Sequence, residues 1–229
     1  MLESCRWQQF ICRVMSLLSY VSAIPQWFWH HGPGLPHLQL HPHDQNLSAL
    51  LTFHLPLIIL GNLTAKTYTS IQPTQAERLA WSNAVTMLLN ADGNCSNVAE
   101  TIPDALRGIY TVLEVDKEFC ALVEIGTARR GDRVEYKKGW GLFVVTPRNS
   151  GIHLSAPHPT FDLYTAEQAT RIFERAGAKS LYIPGRSREA FREATACVQP
   201  GSGAYWKTDA VHDDVSWIYN CPICDSPGY

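Results

Sequence analysis

The feature that most constrains the fold is residues 151–185, GIHLSAPHPTFDLYTAEQATRIFERAGAKSLYIPG. Apolar runs at 152–155 and 181–183 are typical of strands, and a helical pattern lies between them. A capping-box sequence, Thr165 with Gln168, predicts where this helix begins, and Gly177 predicts where it stops. The stretch therefore predicts a strand–helix–strand unit with a right-handed crossover.

The chain before this unit alternates in the same way. Pro73 and a capping box formed by Thr74 and Glu77 predict a helix to about residue 90, and a short helix is predicted at 103–107. Two strands are predicted at 109–115 and 119–125, joined by a polar turn, and a charged connection follows at 127–139. A further strand at 142–146 is expected to pair antiparallel with 152–155 through the turn 147–151. These patterns predict an α/β domain over 66–229, with a mixed sheet and flanking helices.

Residues 1–46 have scattered prolines and aromatic clusters but no sustained period, so we expect a poorly ordered extension. Its five histidines could form a metal-binding tract. Nothing in the sequence sets their geometry, however, so we favour the interpretation that they form no metal site. They are His30, His31, His37, His41 and His43.

Residues 47–65 contain an apolar core, 50–60, that is too short to span a bilayer but suits a signal peptide cut after Ala65. We therefore expect no stable membrane span. The segment lies far from Met1 for a signal peptide, which would require a different start of translation. The alternatives are a buried strand, an interfacial helix or a membrane tether.

Charge and cysteine content narrow the classes of function. The formal net charge of −2, without a long basic run, gives no reason to expect a nucleic-acid partner. Five of the seven cysteines fall in the region expected to fold, and Asn46, Asn62 and Asn94 begin Asn-x-Ser/Thr sequences. Together they favour a secreted, disulfide-containing glycoprotein. We interpret the Cys221–Cys224 pair as disulfide-forming, because a zinc ribbon needs a second such pair.

The loop after the strand 152–155 contains the first candidate site. Pro157 and Pro159 flank His158 and hold its backbone in extended or turn geometry. Asp162 could be a second ligand of one zinc ion, a hydrogen-bond partner of the imidazole, or simply part of the entry to the next helix.

A third zinc ligand is predicted at His212, because a catalytic zinc usually has three protein ligands. Asp209, Asp213 and Asp214 lie near it, and one of them could orient a ligand imidazole or act as the general base; we favour Asp209 as the proton carrier. The alternative is a solvated acidic loop.

Arg186 and Arg188 follow the strand 181–183, at the edge where His158 is expected. Both could bind a substrate carboxylate through paired N–H groups. The alternative is that Ser187 caps a short helix, 188–194, whose arginines face water.

Four segments resemble those of a family of uncharacterised secreted fungal proteins: Trp140-Gly141, residues 157–162, residues 185–188 and residues 209–212. More distantly, the chain is similar to zinc-dependent N-formylglutamate amidohydrolases and carboxypeptidase-like hydrolases. The resemblance implies a hydrolase- or phosphorylase-like mixed sheet with a His/acid/His zinc site. Ser187 stands where the fungal group tends to have histidine, and the chain ends soon after His212, so the sheet could be truncated.

The leading hypothesis is a secreted zinc-dependent hydrolase of amide bonds, or a degenerate relative. His158, Asp162 and His212 would hold the metal, Asp209 would carry the proton, and Arg186 or Arg188 would bind a small-molecule or peptide substrate with a carboxylate. The alternative hypothesis is a non-catalytic secreted protein of the same fold, held by disulfides and glycans.

Overall fold

The computed structural model describes residues 46–148 and 150–193. The helices of this part are α1 (Leu47–His54), α2 (Ala65–Ile71), α3 (Gln75–Leu89), α4 (Cys95–Glu100) and α5 (Thr165–Ala176). Short 3₁₀ turns lie at Leu55–Leu57 and Asp104–Leu106. The strands are β1 (Tyr110–Val115), β2 (Phe119–Glu124), β3 (Thr127–Arg130), β4 (Arg133–Tyr136), β5 (Leu142–Val145), β6 (His153–Ser155) and β7 (Ser180–Ile183).

A five-stranded mixed sheet in the order β1-β2-β5-β7-β6 organises the domain. The pairs β1–β2, β2–β5 and β5–β7 are antiparallel, whereas β6 and β7 run parallel. Strands β3 and β4 form a separate antiparallel hairpin. The structure therefore confirms an α/β domain with a mixed sheet.

Successive residues of a strand point to opposite sides of a sheet, so this sheet has two apolar faces. Helices cover both of them. On one face, Cys120 and Leu122 pack with Trp81 and Leu88 of α3 and with Val98 of α4. On the other face, alternate residues of the same strands pack against α1 and α5. This second cluster contains Phe119, Ala121, Val123, Leu47, Leu50, Ala169 and Phe173. The sheet is thus the middle layer of three.

Several local predictions are confirmed. Helix α3 begins with the complete capping box between Thr74 and Glu77. Strands β1 and β2 form a hairpin, whose turn residues Asp116 and Lys117 both have positive φ, 56° and 55°. Helix α5 ends at Gly177 in the left-handed conformation, and β6–α5–β7 is a parallel crossover unit.

The predicted pairing of 142–146 with 152–155 is wrong. Strand β7 lies between them and pairs with β5 on one side and β6 on the other. The chain passes from β5 to β6 without closing a hairpin, because the crossover through α5 returns β7 into the space between them.

Two further details differ from the sequence prediction. Thr165 does not cap α5: its hydroxyl donates to the carbonyl of Asp162 at 2.8 Å, and Tyr164, with φ of 61°, is the N-cap residue. The stretch 127–139 is not a plain connection, since it contains the β3–β4 hairpin.

The segment predicted as a signal peptide is part of the described domain. Asn46 caps α1, and Leu47, Leu50, Leu51 and His54 of this helix are buried. The Leu47 N–H also donates to the carboxylate of Asp116, in the β1–β2 turn, at 3.2 Å. The alternatives considered were a buried strand, an interfacial helix or a membrane tether; the structure instead has a buried helix here, and the described domain includes residues before 66.

Candidate functional site

The candidate site lies where β6 and β7 end. Because these neighbouring strands run parallel, the loops that follow them leave the same edge of the sheet, as in many α/β enzymes. The Ala156 N–H donates to the carbonyl of Tyr182 at 3.0 Å, so the first loop starts beside the last residues of β7. The loop of residues 157–164 and the segment 184–190 therefore begin next to each other.

His158 and Asp162 are brought together within the first of these loops. The N–H groups of Phe161 and Asp162 both donate to the His158 carbonyl at 3.2 Å, which folds the loop into a tight turn. His158 Nδ1 then lies 2.9 Å from Asp162 Oδ2. The His158 side chain is 15% exposed and that of Asp162 is 52% exposed.

The Asp162 carboxylate sets the chemistry of the His158 ring. A carboxylate only accepts hydrogen bonds, so Nδ1 carries the hydrogen and the lone pair of the neutral ring lies on Nε2. This arrangement matches the hydrogen-bond-partner role considered for Asp162, and it directs Nε2 toward metal binding or proton transfer.

Arg188 lies close to the same loop. Its guanidinium carbon is 4.8 Å from the centre of the Phe161 ring, a cation–π contact. Because Phe161 belongs to the turn that joins His158 to Asp162, this contact brings the segment after β7 against the loop after β6. The structure thus brings together His158, Asp162 and Arg188.

Arg186, by contrast, binds backbone in the interior. Only 2% of it is exposed, and its guanidinium donates to the Lys138 carbonyl from Nε at 3.0 Å and from Nη2 at 2.8 Å. Nη2 also donates to the Ile71 carbonyl at 3.2 Å. The alternative of a short helix at 188–194 is wrong for the described residues 188–193, which are turn, bend or irregular backbone.

Asp209 and His212 lie outside the described residues, as do the histidines of 1–45 and the Cys221–Cys224 pair. Within residues 46–148 and 150–193, no group of three His, Cys, Asp or Glu side chains is arranged to hold a metal ion. Among the described residues, His158 and Asp162 are the predicted zinc ligands.

Glu124 is a buried carboxylate that the sequence analysis did not single out. It ends β2 and accepts hydrogen bonds from the backbone N–H groups of Lys138 at 2.6 Å, Gly139 at 2.8 Å and Trp140 at 3.2 Å. Burial raises its pKa to about 7, although these donors and the charge of Arg186 act in the opposite direction. The sequence feature that could have identified it is an acidic residue at the end of an otherwise apolar strand, FCALVE.

Glycines let the segments around Glu124 and Arg186 approach closely. Gly139 has φ of +72°, and a Cβ there would lie 2.8 Å from Arg186 Cγ and 2.9 Å from the Gly185 carbonyl oxygen. The loop before β5 therefore rests directly on the end of β7. Glu124 accepts hydrogen bonds from the N–H groups of this loop, and Arg186 donates to its Lys138 carbonyl.

His54 is a second buried group missed in the sequence. Its Nδ1 lies 2.8 Å from the Tyr136 hydroxyl and its Nε2 lies 3.2 Å from the Pro184 carbonyl. The carbonyl only accepts, so Nε2 carries the hydrogen. Burial lowers the pKa of His54 to about 4. The imidazole thus joins α1 to β4 and to the residue that follows β7, and its only sequence signal was a histidine within an apolar run.

An open depression of about 380 Å³ lies away from the His158 loop. It is lined by Leu60, Gly61, Asn62, Leu63, Glu189, Ala190 and Arg192. It contains neither His158 nor Asp162, so the candidate site is defined by its side chains rather than by this cavity.

The fold and the site define an α/β domain with an imidazole–carboxylate pair at one edge of a mixed sheet. Comparison with protein-family models found no match. Searches among curated proteins and solved structures also found no match. Of the helices that the structure describes, none is long and apolar enough to cross a membrane.

Proposed function

We propose that this chain is a secreted, zinc-dependent hydrolase of amide bonds whose reactive edge carries His158. The observation that supports this most is the hydrogen bond between His158 Nδ1 and Asp162 Oδ2 at the end of β6. An imidazole oriented by a carboxylate at a sheet edge is a common way to position a metal ligand or a base.

His158 would contribute Nε2 as a zinc ligand, and Asp162 would fix the tautomer and the ring plane. Imidazole is a donor that zinc accepts, so His158 with its Asp162 partner fits as one member of a donor set. The zinc, when bound, supplies Lewis acidity toward the scissile carbonyl and toward a water molecule. His212 as a further ligand and Asp209 as proton carrier remain predictions.

Arg188 would bind the carboxylate of the substrate. Its guanidinium carbon lies 4.8 Å from the centre of the Phe161 ring, and this cation–π contact holds the guanidinium beside the His158 loop. Planar N–H pairs suit a carboxylate. Arg186 is less suited to this role, because its guanidinium already donates to two interior carbonyls.

Zinc content and hydrolysis of N-acyl amino acids test the proposal. The full chain, purified after export from a eukaryotic host, should contain stoichiometric zinc at neutral pH and release amino acid from part of the panel. His158→Ala should lose both properties. Asp162→Asn should keep part of the zinc, because the amide oxygen can still accept the Nδ1 hydrogen.

His153→Ala is the matched control. His153 is the first residue of β6, on the strand that leads into the loop of residues 157–164. Its Nδ1 lies 2.7 Å from Ser180 Oγ. Its replacement should leave zinc and activity unchanged. Wild-type protein without zinc or hydrolysis, together with a His158→Ala variant unchanged in every property, would rule out the hydrolase.

A second candidate is a non-catalytic secreted protein of the same fold. It is favoured by the Cys95–Cys120 disulfide and by the interior role of Arg186. Export of a disulfide-bonded protein that neither binds zinc nor hydrolyses any member of the panel would support this candidate instead.

A further inference from the structure

We propose that the mature protein keeps residues 47–63 as a permanent part of its domain and carries N-linked glycans at Asn62 and Asn94, with disulfide formation limiting the glycan at Asn94. This inference rests on the export named in the proposed function and not on hydrolysis; because residues 47–63 stay in the domain, export must be directed by another part of the chain. It concerns modification sites away from the His158 loop.

Residues 58–63 are joined by backbone hydrogen bonds to the segment after β7. The Ile59 N–H donates to the Gly185 carbonyl at 3.0 Å, and the Ser187 N–H donates to the Ile59 carbonyl at 2.8 Å. The Leu63 N–H donates to the Ala190 carbonyl at 3.0 Å. Ile58 and Ile59 are fully buried.

Cleavage after Ala65 would remove the backbone pairing of residues 58–63 with the segment after β7, as well as α1. Leu47, Leu50 and Leu51 would leave the apolar face that α5 and the sheet share, and His54 would leave Tyr136. Losing several buried aliphatic side chains together would cost a free energy comparable to the net stability of a typical domain. The segment is therefore retained, and with it the acceptor Asn62.

The acceptor side chains are compatible with a glycan in the folded domain. Asn62 and Asn94 are exposed, as are the hydroxyl residues two positions later, Thr64 and Ser96. Asn94 caps α4 through its oxygen, which accepts the Asn97 N–H at 3.2 Å. The sugar attaches to the other amide atom, Nδ2, so this cap is kept after modification.

In the transfer step, the Asn Nδ2 nitrogen bonds to the anomeric carbon of a polyprenyl-diphosphate-linked oligosaccharide. The anomeric C–O bond breaks, polyprenyl diphosphate leaves, and the amide loses one proton. The transferring enzyme requires the three acceptor residues in an extended, accessible chain.

Cys95 is the middle residue of the Asn94 acceptor, and this couples the two modifications. In the folded domain Cys95 is 3% exposed, starts α4 and is bonded to Cys120. The disulfide forms when both thiols lose two electrons and two protons to the oxidising thiol–disulfide pool of the secretory compartment. Once it has formed, Asn94-Cys95-Ser96 is held against β2 and cannot enter an extended conformation.

Disulfide formation does not compete at Asn62, because its acceptor sequence Asn62-Leu63-Thr64 contains no cysteine. It therefore serves as a control within the same molecule. We expect near-complete modification at Asn62 and partial modification at Asn94.

The test is site-specific glycan mapping of the full chain expressed in a eukaryotic secretory host. Glycan removal by an amidase that converts the glycosylated Asn to Asp, followed by peptide mass analysis, reports occupancy at both sites. Cys120→Ser and Cys95→Ser, which keeps an acceptor sequence, should each raise occupancy at Asn94 from partial to near-complete while Asn62 stays unchanged. Material retained inside the cell is analysed in the same way, so a folding defect does not hide the result.

A mature N-terminus beyond residue 65, or an unmodified Asn62 in exported protein, would overturn the inference. Equal occupancy of Asn94 in wild type and both cysteine variants would overturn the coupling to the disulfide. Glycosylated protein without zinc or hydrolysis would count against the hydrolase alone, whereas zinc-loaded, active protein with no glycan would count against this inference alone.

Discussion

Two buried ionisable side chains, Glu124 and His54, hold the edge on which the candidate site lies. Glu124 binds the loop before β5, and His54 binds the Pro184 carbonyl just after β7. Neither touches His158 in any hydrogen bond, so both act by fixing backbone. Their pKa values are shifted in ways that give separate pH signatures.

His54 should make the protein sensitive to acid. Its pKa is about 4 when folded, below the ordinary 6.5, so the unfolded chain binds the proton more tightly. The stability that the neutral His54 contributes is fully present above pH 6.5. As pH falls toward 4, the free energy of unfolding drops by up to about 3 kcal/mol through this group. His54→Gln should remove this component, which urea unfolding between pH 7 and 4 measures. His153→Gln, at an exposed histidine, should change the profile less, and identical profiles for wild type and His54→Gln would contradict the prediction.

Glu124 should act in the opposite direction. Its pKa is about 7 when folded, above the ordinary 4.5, so the folded state binds the proton more tightly. Its proton-linked stability is complete below pH 4.5 and is lost as pH rises through 7. Glu124→Gln should flatten the profile over pH 5–7. It should also destabilise by about 1–3 kcal/mol, because one amide oxygen cannot accept all three N–H groups.

The exposed Glu114 on β1 provides the control for Glu124. Glu114→Gln should leave the free energy of unfolding at pH 8 unchanged. A Glu124→Gln variant as stable as Glu114→Gln at pH 8 would show that the three N–H groups find other acceptors.

Phe161 should matter to substrate binding through Arg188. Phe161→Leu keeps an apolar side chain but removes the ring under the guanidinium, and should raise KM for an N-acyl amino acid roughly two- to fivefold. KM for the corresponding N-acyl amino acid amide, which has no carboxylate, should stay the same. A parallel rise for both substrates would assign Phe161 to general packing.

At the scale of elements, α1 is the part whose role changed most between sequence and structure. Its apolar run suits an exported leader, yet in the fold it packs with α5 against one face of the sheet. The same side chains support both interpretations, since apolar character alone does not say what covers it. The hydrogen bonds of residues 47, 59 and 63 decide the matter for the folded chain.

Leu51→Ala should therefore destabilise the mature protein. Leu51 is 6% exposed, and truncating a buried leucine typically costs about 2–5 kcal/mol. Thermal unfolding of exported protein checks this, with the exposed Ser48→Ala of the same helix as control. If α1 were a removed leader, Leu51→Ala would leave the melting temperature of the exported protein unchanged.

At the scale of the whole molecule, β2, β5 and β7 are the strands of the main sheet with partners on both sides. Amide groups such as those of Leu122 and Val144 should exchange hydrogen only through global unfolding. Those of the separate β3–β4 hairpin should exchange through local opening and much faster. Equal protection in the two regions, measured by native-state hydrogen exchange, would contradict this order.

Much of the site's placement was predictable because it depends on local pattern. The prolines around His158 and the strand–helix–strand unit predict a loop at a sheet edge, and Asp162 four residues on lies within reach of the imidazole. The different roles of Arg186 and Arg188 were not predictable, because two arginines in one turn have equal local propensity. Which one becomes buried depends on Lys138 and Ile71, 48 and 115 residues away along the chain.

The sequence by itself determined α3, α5, the β1–β2 hairpin, the crossover unit and the loop that joins His158 to Asp162, because capping residues, periodicity and turn composition act over a few neighbouring residues. Only the tertiary structure decided that β7 separates β5 from β6, that α1 is a core helix, and that Glu124, His54 and Arg186 are buried. These outcomes depend on which distant surfaces meet and exclude water, and a linear pattern does not contain that information.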